Sequence, residues 1–200
     1  MKNNVLKVST PISWARQALT DPRALLNDHA HLERKAATNA LDILPRWPEG
    51  SAPSKWIKLM TAIARDEIQH FGVVVKLLEK RGGKLTKHHS NLYTQALREK
   101  VRLGQGKKEL VDRLLISALI ELRSAERFSL LQQAAEDDPE LHKLYRNLWA
   151  SEHGHYRIFV SLTEQVLPAA EAAHRWQEML DYEAAIISKS EPGPRMHSGW

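Results

Sequence analysis

Two stretches of this chain carry the same apolar helical face, broken at the same place by the same pair of side chains: Glu67-Ile-Gln-His70 and Glu152-His-Gly-His155. A Glu and a His three residues apart on a helix leave it on one face, one turn separated, so both can reach a single ion. The apolar positions around them repeat in register. With Glu67 laid on Glu152, Met60 falls on Tyr145, Ile63 on Leu148, Phe71 on Tyr156, Val74 on Phe159 and Leu77 on Leu162. A lone Glu-x-x-His usually sits on a solvated face. Two copies that interrupt inward stripes are a different matter, because an unpaired Glu is rarely buried. The pattern calls for a fold that turns both helices toward one polar point inside an apolar core.

The rest of the chain reads as helix too. Asp21-Pro22 opens a first helix with Leu25, His29, Leu32, Ala36, Ala40 and Ile43 inward, ended by Pro45 and Pro48. Ser54 is the expected cap of a second, which carries Glu67 and His70 and stops at Gly82-Gly83. A long connection, Lys84 to Lys108, holds a shorter helix expected around Tyr93 to Leu103. A third long helix runs from about Glu109 to Ala135. Asp137-Asp138-Pro139 restarts the chain into a fourth, with Glu152 and His155, which ends before Pro168. A further helix spans Ala169 to Ile187, and residues 188–200 read as an irregular tail. The fold class is all-α, one domain over 1–200: a four-helix bundle with a long crossover between its second and third helices and extra flanking helices.

The first and third helices answer one another as well. Leu32-Glu33-Arg34 superposes on Ala125-Glu126-Arg127, with Leu25 on Ala118, His29 on Leu122 and Ala36 on Ser129. Each helix then supplies one acid, Glu33 and Glu126. Glu121 also lies near the core stripe, but in that register it aligns with Asp28, so Glu126 is preferred. One Glu from each of two helices plus Glu-x-x-His from the other two is the ligand set of a di-iron or di-manganese carboxylate bundle. Glu33, Glu67, His70, Glu126, Glu152 and His155 are the expected metal ligands. Four carboxylates balance the four positive charges of a divalent pair, which makes burying the cluster tolerable. Iron suits O2 activation, while ligand type alone leaves manganese open. His29 reads as a core residue or one hydrogen-bonded to a ligand carboxylate, and Asp66 as a solvated acid, with orientation of a ligand histidine on a neighbouring helix as the alternative.

The chain has no cysteine and so cannot hold a thiolate-ligated iron–sulfur centre; electrons must come from an external donor. No apolar run is long enough for a membrane span and no charged-then-apolar leader is visible, so the expected location is the cytoplasm. Charge is concentrated. Between Lys80 and Lys108 stand nine cations, Lys80, Arg81, Lys84, Lys87, Arg98, Lys100, Arg102, Lys107 and Lys108, against Glu99 alone, a local net of +8 in a chain of net +5. Such a stretch can track a phosphate backbone, with His88, His89 and Tyr93 available to stack on a base. The plainer reading is a solvated crossover that happens to carry lysine.

The segments His-Leu-Glu33-Arg-Lys-Ala-Ala, Arg-Asp-Glu67-Ile-Gln-His70-Phe, Glu121-Leu-Arg-Ser-Ala-Glu126-Arg-Phe and Ser-Glu152-His-Gly-His155-Tyr resemble those of the MiaE-type tRNA hydroxylases of the ferritin-like superfamily. The resemblance covers most of the chain. It implies a monooxygenase with two irons and O2 as co-substrate, which hydroxylates the isopentenyl group of 2-methylthio-N6-isopentenyl-adenosine at position 37 of tRNA. It further implies that the basic crossover holds the anticodon loop and that a separate reductase or electron-transfer protein supplies electrons. Two other classes use the same residues: a ferritin- or rubrerythrin-like iron oxidase or peroxide scavenger, and a non-enzymatic nucleic-acid-binding bundle whose acids are structural.

Overall fold

The computed structural model describes residues 5–200. Seven α-helices follow one another: α1 (Ile12–Ala18), α2 (Pro22–Ile43), α3 (Ser54–Lys80), α4 (Leu92–Arg98), α5 (Lys107–Ala134), α6 (Pro139–Thr163) and α7 (Ala169–Ile187). No strand occurs among the described residues, and none of their helices is long and apolar enough to cross a membrane.

Local chemistry sets the helix ends. Asp21 accepts from the Ala24 amide at 3.0 Å and Pro22 occupies the first turn, so α2 starts where its missing N–H costs nothing. Asp138-Pro139 repeats the device at α6, with Leu141 N donating to Asp138 at 3.1 Å. The chain leaves α3 through Gly82, whose φ of 75° is the left-handed conformation that glycine tolerates best; Gly83 N then reaches back to Leu78 O at 2.9 Å. Pro53, rather than Ser54, holds the cap position of α3, and Ser54 is its first helical residue. The crossover helix is shorter than the sequence suggests, because Asn91 caps α4 early and the chain beyond Arg98 turns out of helix. α1 was not anticipated: Trp14, Ala15 and Ala18 bury on so short a segment that no period is legible.

α2 packs along α3 and α5 along α6, and the two pairs meet more sparsely through α2 with α5 and α3 with α6. Two apolar layers close the bundle above and below its middle. One holds Met60, Ile63, Leu114, Ala118, Phe159 and Leu162; the other holds Leu25, Ala30, Val74, Phe128, Tyr145 and Leu148. On α3 and α6 the Glu-x-x-His turns lie between the layers, so the polar point is sealed by hydrocarbon at both ends.

Two charged clamps fasten the periphery. Asp112, on α5, accepts from Arg102 N (2.9 Å), Nε and Nη2 (both 2.8 Å), and from Arg175 Nε of α7 (2.8 Å). Burial pushes its carboxyl up, but the bonds from Arg102 and Arg175 prevail and leave it below the ordinary Asp value of 3.8. A carboxyl depressed in the fold stabilises it above the unfolded pKa, and that contribution disappears as pH falls through the folded one. Asp112→Asn should therefore cost about 2 kcal/mol at neutral pH, an effect that shrinks as pH falls below the ordinary Asp value of 3.8, as thermal melts from neutral pH into the acid range would show.

The tail departs from expectation. It lacks regular structure yet is firmly held: Met196, His197 and Ser198 are buried, Arg127 donates to the carbonyls of Met196 and Ser198, Trp14 Nε1 donates to Ser198 Oγ at 3.0 Å, and Met196 N donates to Asp28 at 2.7 Å. His197 stacks on Tyr93 with ring centroids 4.7 Å apart.

Candidate metal centre

Glu33 of α2, Glu67 and His70 of α3, Glu121 of α5, and Glu152 and His155 of α6 converge between the two apolar layers. They form two overlapping groups, Glu33, Glu67, His70 and Glu152, and Glu67, Glu121, Glu152 and His155, with the ligand atoms of each group all within 4.8 Å of one another. Glu67 and Glu152 belong to both, the placement a bridging carboxylate requires. His70 Nδ1 lies 3.2 Å from Glu152, 3.6 Å from Glu33 and 3.8 Å from Glu67. His155 Nδ1 lies 2.6 Å from Glu67 and 4.0 Å from Glu121.

These atoms are close but not aligned for hydrogen bonds. Both oxygens of Glu67, Oε1 of Glu152 and Nδ1 of both histidines are buried without a hydrogen-bond partner. Buried polar atoms are normally satisfied, so a set of orphans aimed at one space is the signature of a ligand shell. Electrostatics agree. Burial, foremost, pushes the carboxyls of Glu67 and Glu121 up, with neighbouring glutamates adding to it. Burial and Glu152 push Glu33 the same way, but His29 and His70 hold it down at about 2. Burial opposes charge on His70, yet Glu152, Glu33 and Glu67 together raise it to about 12. Four carboxylates and two imidazoles this close need cations to carry their full charge. An all-oxygen-and-nitrogen donor set of this composition fits two divalent iron or manganese ions.

Two further side chains flank the cluster. His29 Nε2 meets Glu33 Oε1 at 2.5 Å, and Asp66 lies 3.6 Å from His155 Nε2, so the outer nitrogen of that ring faces a carboxylate.

One assignment is corrected. Glu126 is outside the cluster: it accepts from Thr10 N (3.0 Å), Thr10 Oγ1 (2.7 Å) and Arg123 Nη1 (2.5 Å), tying the N-terminal segment to α5. Glu121 takes the place given to it. Five residues at about 100° each put the two acids about 140° apart on α5, so only one can face the centre. A signal for Glu121 was present. With α2 offset by 88 positions instead of 93, Glu33 meets Glu121, and Leu26/Leu114, Ala30/Ala118, Ala37/Ala125 and Ile43/Leu131 pair, all buried.

The basic crossover is partly spoken for. Arg81 forks onto Asp138 at 2.6 and 2.7 Å, Lys80 pairs with Glu140, Lys107 with Glu49 and Arg102 with Asp112. Lys84, Lys87, Arg98 and Lys108 have no carboxylate partner among the described residues, and Lys100 lies over the Tyr182 ring. His88 is exposed, but His89 is half-buried, bound to Asp28 at 2.7 Å and stacked on His31. Tyr93 is buried, donates to Glu183 at 3.0 Å and stacks on His197 within the fold.

Two cavities approach the cluster along the seams between the helix pairs. One, of about 370 Å³, lies between α2, α4 and α5 and reaches Glu121. The other, of about 500 Å³, lies between α3 and α6 and stops at His70.

An all-helical bundle with two Glu-x-x-His turns and two further acids facing a shared interior point defines a ferritin-like carboxylate protein built for a metal pair. Known proteins narrow this. The profile of the family described as tRNA-(ms2io6A)-hydroxylase (MiaE) matches residues 1–198, and the chain belongs to that family. It is 34% identical over 190 residues to the tRNA 2-(methylsulfanyl)-N(6)-isopentenyladenosine(37) hydroxylase of Pseudomonas putida, covering 95% of this chain and 90% of the relative. It is 28% identical over 243 residues to the protein of the same name from Salmonella typhimurium, covering 98% and 88%. Among solved structures it is similar to a Synechococcus protein described as having aldehyde deformylating oxygenase activity, with a TM-score of 0.88, 34% identity, and 97% and 96% of the two chains covered.

Proposed function

We propose that this chain is an O2-dependent di-iron monooxygenase that hydroxylates the isopentenyl side chain of 2-methylthio-N6-isopentenyl-adenosine at position 37 of tRNA. The observation that carries the reading is the pair of overlapping Glu/His groups, in a chain matched from 1 to 198 by one tRNA hydroxylase family.

Two irons at this centre would supply the reduction of O2 by two electrons and two protons, one oxygen atom entering a methyl C–H bond and the other leaving as water. The chain's own residues hold and shield. Glu67 and Glu152 span both groups; Glu33 and Glu121 close the two ends; His29 holds a ligand carboxylate, and Asp66 faces the outer nitrogen of a ligand imidazole. The apolar layers keep bulk water from the reacting carbon. The anticodon loop presents an unpaired base, so no duplex has to be opened. With no cysteine in the chain, a separate reductase or electron-transfer protein supplies the electrons. A tRNA substrate is compatible with the cytoplasmic location expected from the sequence.

The protein reconstituted with iron under reducing conditions should hold about two irons per chain and, given hypomodified tRNA, O2 and a reductant, convert the isopentenyl nucleoside to its hydroxylated form. Mass spectrometry of digested tRNA reads the gain of one oxygen. Iron oxidation or peroxide consumption without that product would favour the storage or scavenging class. Deformylation of an aldehyde in place of nucleoside hydroxylation would align the chain with its Synechococcus neighbour, and tRNA binding without iron would leave a binding bundle.

A further inference from the structure

The cavity between α2, α4 and α5 differs in kind from the groove between α3 and α6. The groove is walled by Val73, Leu77, Leu144 and Leu148, and its floor is the ring of His70, whose Nδ1 faces the carboxylates. The ring therefore stands between the groove and the centre. The α2–α4–α5 cavity instead has Glu121, an acid of the cluster, in its lining.

Its walls are graded. Leu32, Ala36 and Ile120, each half-buried, make an apolar strip beside Glu121. Asn39, Thr94 and Gln95 supply amide and hydroxyl groups, the Asn39 amide also donating to Ser117 Oγ at 2.8 Å. At the rim stand Arg34, Lys35 and Arg98, with Asp42 the only carboxylate near them in the lining; Arg34 and Arg98 are exposed and have no ion-pair partner among the described residues. Lys35 is held on His89 by its ammonium, 2.8 Å from Nδ1. An apolar strip ending at a metal-binding carboxylate, then amides, then cations suits a ligand that is hydrocarbon at one end, heteroaromatic in the middle and anionic outside. The volume lies at the small end of the range for ligand pockets.

We infer that this cavity takes the prenylated adenine. The isopentenyl chain runs inward along Leu32, Ala36 and Ile120 to Glu121, the purine sits among Asn39, Thr94 and Gln95, and Arg34 and Arg98 meet the flanking phosphates. Hydrogen-bonding amides suit a base edge, and guanidinium forks suit phosphate oxygens. The crossover thus serves through Arg98, on the helix that roofs the cavity, more than through its total charge. This inference rests on the hydroxylase reading for the identity of the ligand.

The test uses the full iron-loaded chain and three probes: an anticodon stem-loop carrying the methylthio-isopentenyl adenosine, the same stem-loop with plain adenosine, and the free modified nucleoside. Binding is read by titration, and iron content is measured for every variant. Wild type should prefer the prenylated stem-loop. Ala36→Phe, which fills the strip, should weaken the prenylated stem-loop and the nucleoside by about tenfold or more with iron retained. Arg98→Glu, on an exposed face of α4, should weaken both stem-loops by about tenfold, flatten their salt dependence and leave the nucleoside within about twofold. Val73→Trp and Lys143→Glu, in the other groove, should leave all three probes near wild type. The assignment is overturned if wild type does not distinguish the two stem-loops, if Val73→Trp abolishes binding, or if Arg98→Glu leaves the stem-loops unaffected. Should wild type bind the prenylated stem-loop selectively and still release it unoxidised, the hydroxylase reading fails while the pocket stands.

Discussion

Glu121→Ala should reduce iron binding from about two ions per chain toward one and lower hydroxylation of tRNA by roughly 10²-fold or more, beyond the range usual for residues one shell removed from a metal. Glu126→Gln should keep both irons and most of the activity. The contrast follows from where each carboxylate points. Glu121 shares a set of mutually close ligand atoms with Glu67, Glu152 and His155, so its loss opens one end of the centre and leaves the facing histidine and carboxylates to share a single cation. Glu126 is bonded to Thr10 and Arg123 instead; its loss frees the N-terminal segment and costs on the order of 1–2 kcal/mol through lost charge-assisted hydrogen bonds. Iron analysis with single-turnover product measurement separates the two. If Glu126→Gln lost iron while Glu121→Ala kept it, the assignment drawn from the geometry would be reversed.

That pair of residues also shows what the sequence makes legible. On α3 and α6 one face is apolar and the other solvated, so Glu67, His70, Glu152 and His155 stand out as interruptions, and all four lie in the cluster. On α2, Glu33 lies on a buried face beside Ala30 and Ala37, and it too lies in the cluster. α5 is different: it is buried on nearly every side, with Leu114, Leu115, Ile116, Ala118, Leu119 and Leu122 all inside. A helix apolar all round has no stripe against which an acid can be placed, so a three-residue match, Leu-Glu-Arg with Ala-Glu-Arg, favours Glu126, the acid that lies outside the cluster. The bundle, its crossover and the boundaries of the long helices followed from proline, glycine and period. The tail did not, because what holds residues 196–198 is Arg127 and Asp28, contacts that link positions about 70 and 170 apart in the chain and leave no local pattern. Charge misled in the same way: nine crossover cations are countable in sequence, but their pairing with Glu49, Asp112, Asp138 and Glu140 is a tertiary fact.

Arg123→Leu should be the most destabilising single change outside the centre, costing about 3–5 kcal/mol and lowering the melting temperature by roughly 6–20 °C in a chain of this size. Arg123 is wholly buried and binds four groups at once: Glu183 of α7 through Nε and Nη2 (2.8 and 2.9 Å), the Val8 carbonyl (3.0 Å), Thr10 Oγ1 (3.0 Å) and Glu126 (2.5 Å). It fastens the N-terminal segment and α7 to α5, two turns or less from Glu121. Burial, foremost, pushes the carboxyl of Glu183 up, and Arg123 is the principal influence pulling it back. Once the guanidinium is removed, Glu183 keeps only the Tyr93 hydroxyl at 3.0 Å and must either hold a charge in hydrocarbon or take up a proton. The sign is fixed by that choice: the variant's unfolded state, with an ordinary Glu, holds fewer protons near neutrality than its folded state, so its stability should rise as pH falls toward 5, a trend the wild type should show only weakly. Replacing both partners, Arg123→Leu with Glu183→Leu, should recover part of the loss, because no buried charge is then stranded. Melts of the three variants between pH 5 and 8, with iron content measured alongside, check both the size and the slope. A double variant less stable than Arg123→Leu would mean that the clamp acts through its hydrogen bonds to Val8, Thr10 and Tyr93 and not through the ion pair.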